Sequence, residues 1–247
     1  MRERREIFGD QSLDPKVEID SPSLEYLSVY DYKPKSFSIH SISPSAKVNI
    51  DVMFDFEDED EDDPLERTRI RDFLRGISTV WEIIISARTL KVIKAFSQFE
   101  SLPQFSNLSR LDASFVGSTL ELLPTFLGCC PNLKSLLMDF ACLSETDNEI
   151  KLSYVPQCFL SSVEFVLMET PITVTKPSLQ MDLAKYFMRN CEVLKTLVVS
   201  GSFSSIIKKI KRIPKRSLGC EVVMLNRPCE VVYSSSLLPV FYQQFAI

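Results

Sequence analysis

The stretch Leu194-Lys195-Thr196-Leu197-Val198-Val199 carries apolar residues at its first, fourth and sixth positions, and the chain repeats this pattern. Four earlier stretches share it: Leu24-Glu25-Tyr26-Leu27-Ser28-Val29, Leu108-Ser109-Arg110-Leu111-Asp112-Ala113, Leu133-Lys134-Ser135-Leu136-Leu137-Met138 and Val163-Glu164-Phe165-Val166-Leu167-Met168. The last four of these five units begin 25, 30 and 31 residues apart. The alternation at the end of each unit predicts a β-strand with one buried apolar face.

A strand of this kind at such intervals is typical of the leucine-rich repeat. Helical spacing of apolar residues lies between the strands, over 65–77, part of 119–130, 180–191 and 204–212. Strands that alternate with helices imply parallel strands with crossover helices. One unit cannot bury its apolar face alone, so neighbouring units must stack. We therefore predict an α/β solenoid, an open arc of roughly six to eight units with its helices on the convex side.

The rest of the chain is less regular. Extended runs at 46–54, 81–85 and 220–225 predict three further strands, whereas residues 1 to about 20 are polar and weakly patterned. The seven consecutive acidic residues from Glu57 to Asp63 predict a solvated loop, because like charges this dense resist packing.

Composition excludes several classes of protein. The 247 residues are 45% hydrophobic and 25% charged, which is ordinary for a globular chain. The net charge of −5 becomes +2 once the seven acidic residues are set aside (−5 + 7), which is too little basic excess for a general nucleic-acid surface. We find no apolar stretch of about 18 residues and no secretory signal. The odd number of cysteines, seven, then favours reduced thiols and a cytoplasmic or nuclear protein.

Three segments resemble a known domain more closely than a generic repeat does. They are Tyr154-Val155-Pro156-Gln157-Cys158-Phe159-Leu160-Ser161-Ser162-Val163-Glu164-Phe165-Val166, the segment from Leu183 to Lys195, and Ile213-Pro214-Lys215-Arg216-Ser217-Leu218-Gly219-Cys220-Glu221-Val222-Val223. In this order they are similar to the FBD domain, which lies at the C-terminus of many plant F-box proteins with leucine-rich repeats.

This resemblance implies the recognition part of a ubiquitin ligase receptor. In that family an N-terminal F-box docks on a Skp-type adaptor, and the repeats select the target; residues 1–50 show nothing similar to an F-box. We expect a leucine-rich-repeat region over 1–150 with its acidic loop at 57–63. An FBD-like domain over 151–225 would continue the repeats as a cap, and a C-terminal tail would follow over 226–247.

The sequence predicts no catalytic, cofactor-binding or metal site. The lone histidine, His40, has no nucleophile or orienting acid in a recognisable motif. The cysteines form no Cys-x-x-Cys pair, and the six glycines form no phosphate-binding loop. The basic residues of 208–216 interleave with Ile206, Ile207, Ile210 and Ile213, which predicts an amphipathic helix with a solvated basic face rather than a nucleic-acid contact.

The remaining hypothesis is a binding scaffold whose protein target lies on the concave strand face. We expect the side chains between the apolar positions to be exposed there, namely Glu25, Ser28, Ser109, Asp112, Lys134, Ser135, Glu164 and Lys195. The alternatives are a binding module with no ligase link, a hydrolase or transferase built around His40 on the same scaffold, and a degenerate family copy. We expect no membrane contact, and a Skp-type adaptor as partner only if an F-box precedes this segment.

Overall fold

The computed structural model describes residues 3–8, 17–32, 37–53, 64–142, 152, 154–169, 177–200 and 203–225. The acidic run 57–63 and the tail 226–247 lie outside these residues, so the predictions made for them stay predictions.

The described elements alternate between strands and connecting segments. In chain order the strands are β1 (Glu3–Phe8), β2 (Val17–Ser21), β3 (Leu24–Tyr32), β4 (Phe37–Ile42), β5 (Lys47–Val52), β6 (Glu82–Ile85), β7 (Arg110–Val116), β8 (Ser135–Cys142), β9 (Phe165–Glu169), β10 (Thr196–Val199) and β11 (Glu221–Met224). The helices are α1 (Pro64–Gly76), α2 (Ala87–Phe99), α3 (Leu122–Gly128), α4 (Gln157–Ser161), α5 (Pro177–Asn190) and α6 (Ile207–Ile210), with one 3₁₀ turn at Gly117–Thr119.

Nine of the described strands form one parallel sheet in the order β1-β3-β5-β6-β7-β8-β9-β10-β11, and β2 pairs with β4 in a second sheet. The order across the main sheet therefore follows the order in the chain. Each of the five repeated units contributes a strand, β3, β7, β8, β9 or β10, so the predicted parallel α/β arrangement of strands is confirmed. The extended runs at 46–54, 81–85 and 220–225 are β5, β6 and β11.

The connections differ along the chain. Strands β2 and β4 connect β1 to β3 and β3 to β5, and helices make most of the later connections. Helix α1 packs on β4, so the second sheet and the helices lie side by side in one layer. Helix α2 packs on β5 and β7, and α3 to α6 contact one another in succession.

The main core lies between the sheet and this layer. Alternate strand residues point into it, such as Val48, Ile50 and Val52 on β5 and Leu111, Ala113 and Phe115 on β7. Helical residues of the same core include Phe73, Phe96 and Phe187. The other alternate residues form what we call the second face of the sheet.

Several elements differ from expectation. Strands β1 and β2 lie in the segment read as weakly patterned, and α2 was not predicted. The helix expected over 204–212 is wrong in length, because only Ile207–Ile210 is helical. Its amphipathic character is confirmed, since Ile206, Ile210 and Ile213 are buried and the basic residues from Lys208 to Arg212 are exposed. Within the described residues, no helix is both long enough and apolar enough to span a membrane.

Candidate functional site: the second face of the sheet

A repeated backbone contact makes the units structurally equivalent. The carbonyl oxygen of Ser109, at the second position of its unit, accepts N–H groups from Lys134 and Ser135 at 2.9 and 3.0 Å. The Lys134 carbonyl accepts from Glu164 and Phe165 in the same way, at 2.9 and 3.1 Å. The Glu164 carbonyl accepts from Lys195 and Thr196 at 2.8 and 3.1 Å. Side chains at matching positions are thereby brought into rows across the strands.

A second contact also recurs from unit to unit, and a polar side chain just before each unit makes it. The Asn107 amide donates to the Thr79 carbonyl oxygen at 2.8 Å, and the Asn132 amide donates to that of Ser106, also at 2.8 Å. The Ser162 hydroxyl donates to the Pro131 carbonyl at 3.0 Å. Each bond satisfies a turn carbonyl of the preceding unit, which holds the turns at one edge of the sheet in register.

Two rows of the second face follow from the strand register. The third positions of the units align as Tyr26, Lys47, Glu82, Arg110, Ser135, Phe165, Thr196 and Glu221. The fifth positions align as Ser28, Asn49, Ile84, Asp112, Leu137, Leu167, Val198 and Val223. The side chains of these two rows belong to the second face, and several of them are buried.

The eight side chains expected to be exposed fall into two groups in the structure. Ser28, Asp112 and Ser135 belong to the two rows. Glu25, Ser109, Lys134, Glu164 and Lys195 occupy the second position instead, where the backbone contacts between units lie. Lys195 is exposed and its ammonium pairs with the Glu164 carboxylate at 2.8 Å. The expectation is wrong for Ser28, which is fully buried and whose hydroxyl has no hydrogen-bond partner in the described part of the chain.

On β3 to β7 the second face carries charged side chains that form ion pairs with one another. The buried Glu82 carboxylate lies 2.9 Å from the Lys47 ammonium and 3.4 Å from the Arg110 guanidinium. Arg88 pairs with Asp51 at the end of β5. Opposite charges on neighbouring strands offset one another here, so this half presents little uncompensated charge.

Asp112 lies where this charged half ends. Burial raises the pKa of its carboxyl group to about 7, although the positive charges of Arg110 and Lys47 favour the ionised form. The negative charges of Glu169 and Glu82 raise its pKa further. The sequence named Asp112 only as one polar position among eight.

The half of the second face on β8 to β11 is apolar, which the apolar positions of single units did not predict. Leu137, Leu167 and Val198 are 2, 2 and 5% exposed and form a cluster apart from the main core, flanked by the partly buried Phe165, Val223 and Leu225. Within each strand the third, fifth and seventh positions of the unit point to one side, so counting these positions would have found the apolar residues.

A pair of carboxylates follows the apolar row. Asp139 and Glu169 occupy the seventh positions on β8 and β9 and are direct register neighbours. Burial raises the pKa of both, and the Asp139 charge raises that of Glu169 further. Within the described residues neither carboxylate has a hydrogen-bonding or ion-pairing side chain.

The structure does not bring the other sequence candidates together within the residues that it describes. His40 is exposed on β4 and makes no hydrogen bond or ion pair with any described residue. Five cysteines are free thiols, Cys129, Cys130, Cys158, Cys191 and Cys220, while Cys142 and Cys229 lie outside the described side chains. Burial raises the pKa of Cys158 to about 12, so this thiol stays protonated. No group of three potential metal ligands occurs in the described ranges.

The basic segment after α5 is partly engaged. The Lys215 ammonium donates to the Cys220 carbonyl at 2.6 Å, and the Arg216 backbone N–H donates to the Met188 carbonyl at 2.8 Å. The side chain of Arg216 pairs with Glu192. These contacts tie the segment to its neighbours and give it a structural role.

The fold and the second face define a parallel α/β repeat protein. In the described residues, helices and the second sheet cover one face of the main sheet, and no helical layer covers the other. The FBD family model matches residues 150–199. The chain is 54% identical over 233 residues to the F-box/FBD/LRR-repeat protein At1g80470 of Arabidopsis thaliana, which covers 93% of this chain and 48% of the relative. It is 53% identical over 187 residues to the FBD-associated F-box protein At1g60410 of the same plant, and this match covers 76% of this chain and 44% of the relative.

The chain therefore belongs to the plant family of FBD and F-box proteins with leucine-rich repeats. It spans about half the length of the curated relatives it matches. No solved structure matches it.

Proposed function

We propose that this chain is the target-recognition part of an F-box-type ubiquitin ligase receptor and acts by binding rather than by catalysis. In this proposal the parallel sheet is a leucine-rich-repeat solenoid over 1–150, with its helices convex and the second face concave. Residues 151–225 continue it as an FBD-like cap, followed by the tail 226–247. The protein works in the cytoplasm or nucleus.

One observation carries the proposal. The same backbone contact recurs from unit to unit and aligns the third and fifth positions into long rows on the second face. Stacked repeats of this kind give an extended surface on which many side chains act together, which suits protein recognition. The names of the relatives, which combine F-box, FBD and LRR repeat, point to interaction proteins.

The ligase link rests on the relatives. They are named F-box proteins, and this chain matches less than half of At1g80470. A test compares this chain and full-length At1g80470 for binding to a purified Skp-type adaptor. We expect the relative to bind, and this chain to bind only when the part of At1g80470 that lies outside the match is fused to it. Failure of both the fusion and the relative would leave a binding module without a ligase link.

Target recognition is tested on the second face itself. The variant Ser135→Arg/Thr196→Arg places two bulky cations on partly exposed positions of one row. Its matched control, Gln157→Arg/Ser161→Arg, adds the same two residues to exposed positions on α4. Both variants should keep the wild-type melting temperature, because all four positions are at least partly solvated.

Quantitative proximity labelling in plant cells then separates the faces. We expect a set of proteins labelled by the wild type and by the α4 control but lost from the second-face variant, and those proteins should lose ubiquitin chains when the receptor is removed. Identical labelling by the two variants would contradict recognition through this face.

A further inference from the structure

The helical turn around α6 has one apolar side and one positively charged side. Ile206, Ile210 and Ile213 are buried in the main core, so this turn belongs to the helical side of the sheet and not to the second face. Four basic side chains of the same turn are exposed to solvent. We call them the basic patch: Lys208, Lys209, Lys211 and Arg212.

Backbone hydrogen bonds fix the basic patch in one conformation. The Lys211 N–H donates to the Ile207 carbonyl oxygen at 2.9 Å, and the Arg212 N–H donates to that of Lys209 at 3.1 Å. Residues three or four positions apart lie side by side on a helical turn. Lys208 is therefore next to both Lys211 and Arg212, and positive charges gather on one side of the turn.

The charges of the basic patch are not compensated within the described residues. None of the four side chains forms an ion pair or a hydrogen bond with another described residue. Other solvent-accessible lysines do: Lys185 pairs with Asp182 and Lys195 pairs with Glu164, both at 2.8 Å. Like charges three or four residues apart on a helix repel each other, so a bound anion relieves an unfavourable interaction in the folded chain.

We propose that the basic patch binds an acidic segment of a partner protein. The segment presents two or more carboxylates within about 7 Å, as alternate residues of an extended chain do. Three of the four cations are lysines, whose compact charge on a flexible stem reaches carboxylates in varied arrangements. Because the patch and the second face lie on opposite sides of the sheet, this contact goes beyond the proposed function and needs neither the adaptor nor the target.

The charge of the rest of the chain favours a short acidic segment over a nucleic acid. The whole chain carries −5, and the remainder carries −9 once the four positive charges are set aside (−5 − 4). Screening limits the attraction between exposed charges to about 8 Å at physiological ionic strength. A short segment therefore meets chiefly the patch, whereas a long polyanion extends beyond it and is repelled by the remainder.

The burial of the isoleucines argues against a membrane as the partner. A helix that lies on a membrane inserts apolar side chains next to its cations. In this turn Ile206, Ile210 and Ile213 are at most 8% exposed and belong to the main core. They are engaged within the chain, so the basic patch offers a lipid surface its charge alone.

The test measures binding of the intact chain to a fluorescent twelve-residue peptide in which six glutamates alternate with serines. We expect saturable binding by anisotropy at about 50 mM salt, at least tenfold weaker binding at about 200 mM salt, and at least tenfold weaker binding when glutamines replace the glutamates. The competing probes are an RNA of forty uridines and vesicles that contain phosphatidylserine. Both should bind at least tenfold more weakly than the acidic peptide.

Matched pairs of variants locate the contact. Lys208→Gln/Lys211→Gln removes two charges from the basic patch and should weaken binding of the acidic peptide at least tenfold. The control, Lys91→Gln/Lys134→Gln, removes two charges from exposed positions on α2 and just before β8 and should change binding less than twofold. Both variants should keep the wild-type melting temperature, because all four side chains are exposed.

A second pair, Lys209→Gln/Arg212→Gln, should also weaken binding at least tenfold and repeats the test if the first pair fails to fold. Equal binding of the acidic peptide by a folded patch variant and the wild type would overturn the inference. So would no binding of the acidic peptide, or tighter binding of the RNA or the vesicles.

The proposed function fails separately from this inference. Ser135→Arg/Thr196→Arg leaves the basic patch intact and should bind the acidic peptide at least as tightly as the wild type. If that variant keeps every target while the patch variants lose the peptide, only recognition through the second face is lost. If it loses its targets while the patch variants bind the peptide like the wild type, only this inference is lost.

Discussion

At the scale of single residues, Asp112 links the second face to pH. Its pKa rises from an ordinary 3.8 to about 7 on folding, mainly through burial, while Arg110 and Lys47 oppose the shift. The folded state therefore binds the proton more tightly than the unfolded state. The contribution of this group to stability is largest below pH 4, falls as the pH rises from about 4 to about 7, and is constant above that.

The variant Asp112→Asn removes this titration. We expect it to raise the free energy of unfolding at pH 8 by at least about 1.4 kcal/mol, the equivalent of one pKa unit, and to have little effect near pH 4. Urea unfolding at pH 4, 6 and 8 measures this. A loss of stability at pH 8 would show that the ionised form is favoured through Arg110 despite its burial.

Gly76, the last residue of α1, lies against β4. A Cβ atom added there would come within 2.6 Å of the Ile39 Cβ atom. Overpacking costs about 1–3 kcal/mol, and alanine in place of glycine regains at most about 1 kcal/mol of helix propensity. We therefore expect Gly76→Ala to lower the free energy of unfolding by about 1 kcal/mol.

Gly219 provides the control for this change. No atom lies within 4 Å of a Cβ atom added at this position. Gly219→Ala should change the free energy of unfolding by less than about 0.5 kcal/mol, measured in the same urea experiment. Equal losses in both variants would mean that the contact with Ile39 is not the cause.

At the scale of elements, an aromatic cluster joins α4 to α5. The Phe159 ring lies 5.2 Å from that of Tyr186 and 5.4 Å from that of Phe187, measured between ring centroids. The Tyr186 hydroxyl donates to the Tyr154 carbonyl oxygen at 2.6 Å, and burial raises its pKa. These residues lie in the segment that matches the FBD family.

Tyr186→Phe tests this contact. The variant keeps the ring and removes the hydrogen bond, so we expect a loss of about 1 kcal/mol in the free energy of unfolding. Tyr154→Phe is the matched control, because Tyr154 is 55% exposed and supplies only its backbone carbonyl. Unfolding of both variants in guanidinium measures these free energies. If Tyr186→Phe leaves the free energy of unfolding unchanged, ring packing alone stabilises the cluster.

The elements also show what the sequence could predict. Alternation located β5, because Val48, Ile50 and Val52 all point into the core. It could not locate β1, a polar edge strand of sequence ERREIF that has a strand partner on only one side among the described residues. Helix α2 had recognisable signals, namely Ser86 as N-cap and Leu90, Ile93 and Phe96 at helical spacing, but the preceding apolar strand masked them.

The sequence predicts that side chains between the apolar positions form a binding face, but not which of them lie on it. Which residues lie between apolar positions follows from the repeat, but which of them reach the second face depends on where each strand begins. Strands β7 and β8 begin at the third position of their units, so Ser109 and Lys134 precede the sheet and Arg110 and Ser135 belong to it. Pairing between units, such as that of Lys47 with Glu82, depends on a register that no single unit encodes.

At the scale of the whole molecule, stability should vary along the sheet. Each strand of the main sheet pairs only with the strands beside it in the order β1-β3-β5-β6-β7-β8-β9-β10-β11, so strands at the middle are supported on both sides and those at the described edges on one. The backbone N–H of Ser135 donates to the Ser109 carbonyl at 3.0 Å at the start of β8, and that of Glu221 donates to the Lys195 carbonyl at 2.8 Å at the start of β11. The two hydrogen bonds occupy equivalent positions at the start of their strands, but β8 lies inside the sheet and β11 lies at its described edge.

Native-state hydrogen exchange compares these two amides directly. We expect Glu221 to exchange at least tenfold faster than Ser135 once intrinsic rates are removed, because unpairing one edge strand costs less than opening the centre. Low concentrations of urea should leave the Glu221 rate unchanged and accelerate that of Ser135, since only the second opening exposes much apolar surface. Equal protection and equal urea dependence at both sites would show a single cooperative unit, and the stepwise support between neighbouring units would then not govern the stability of this chain.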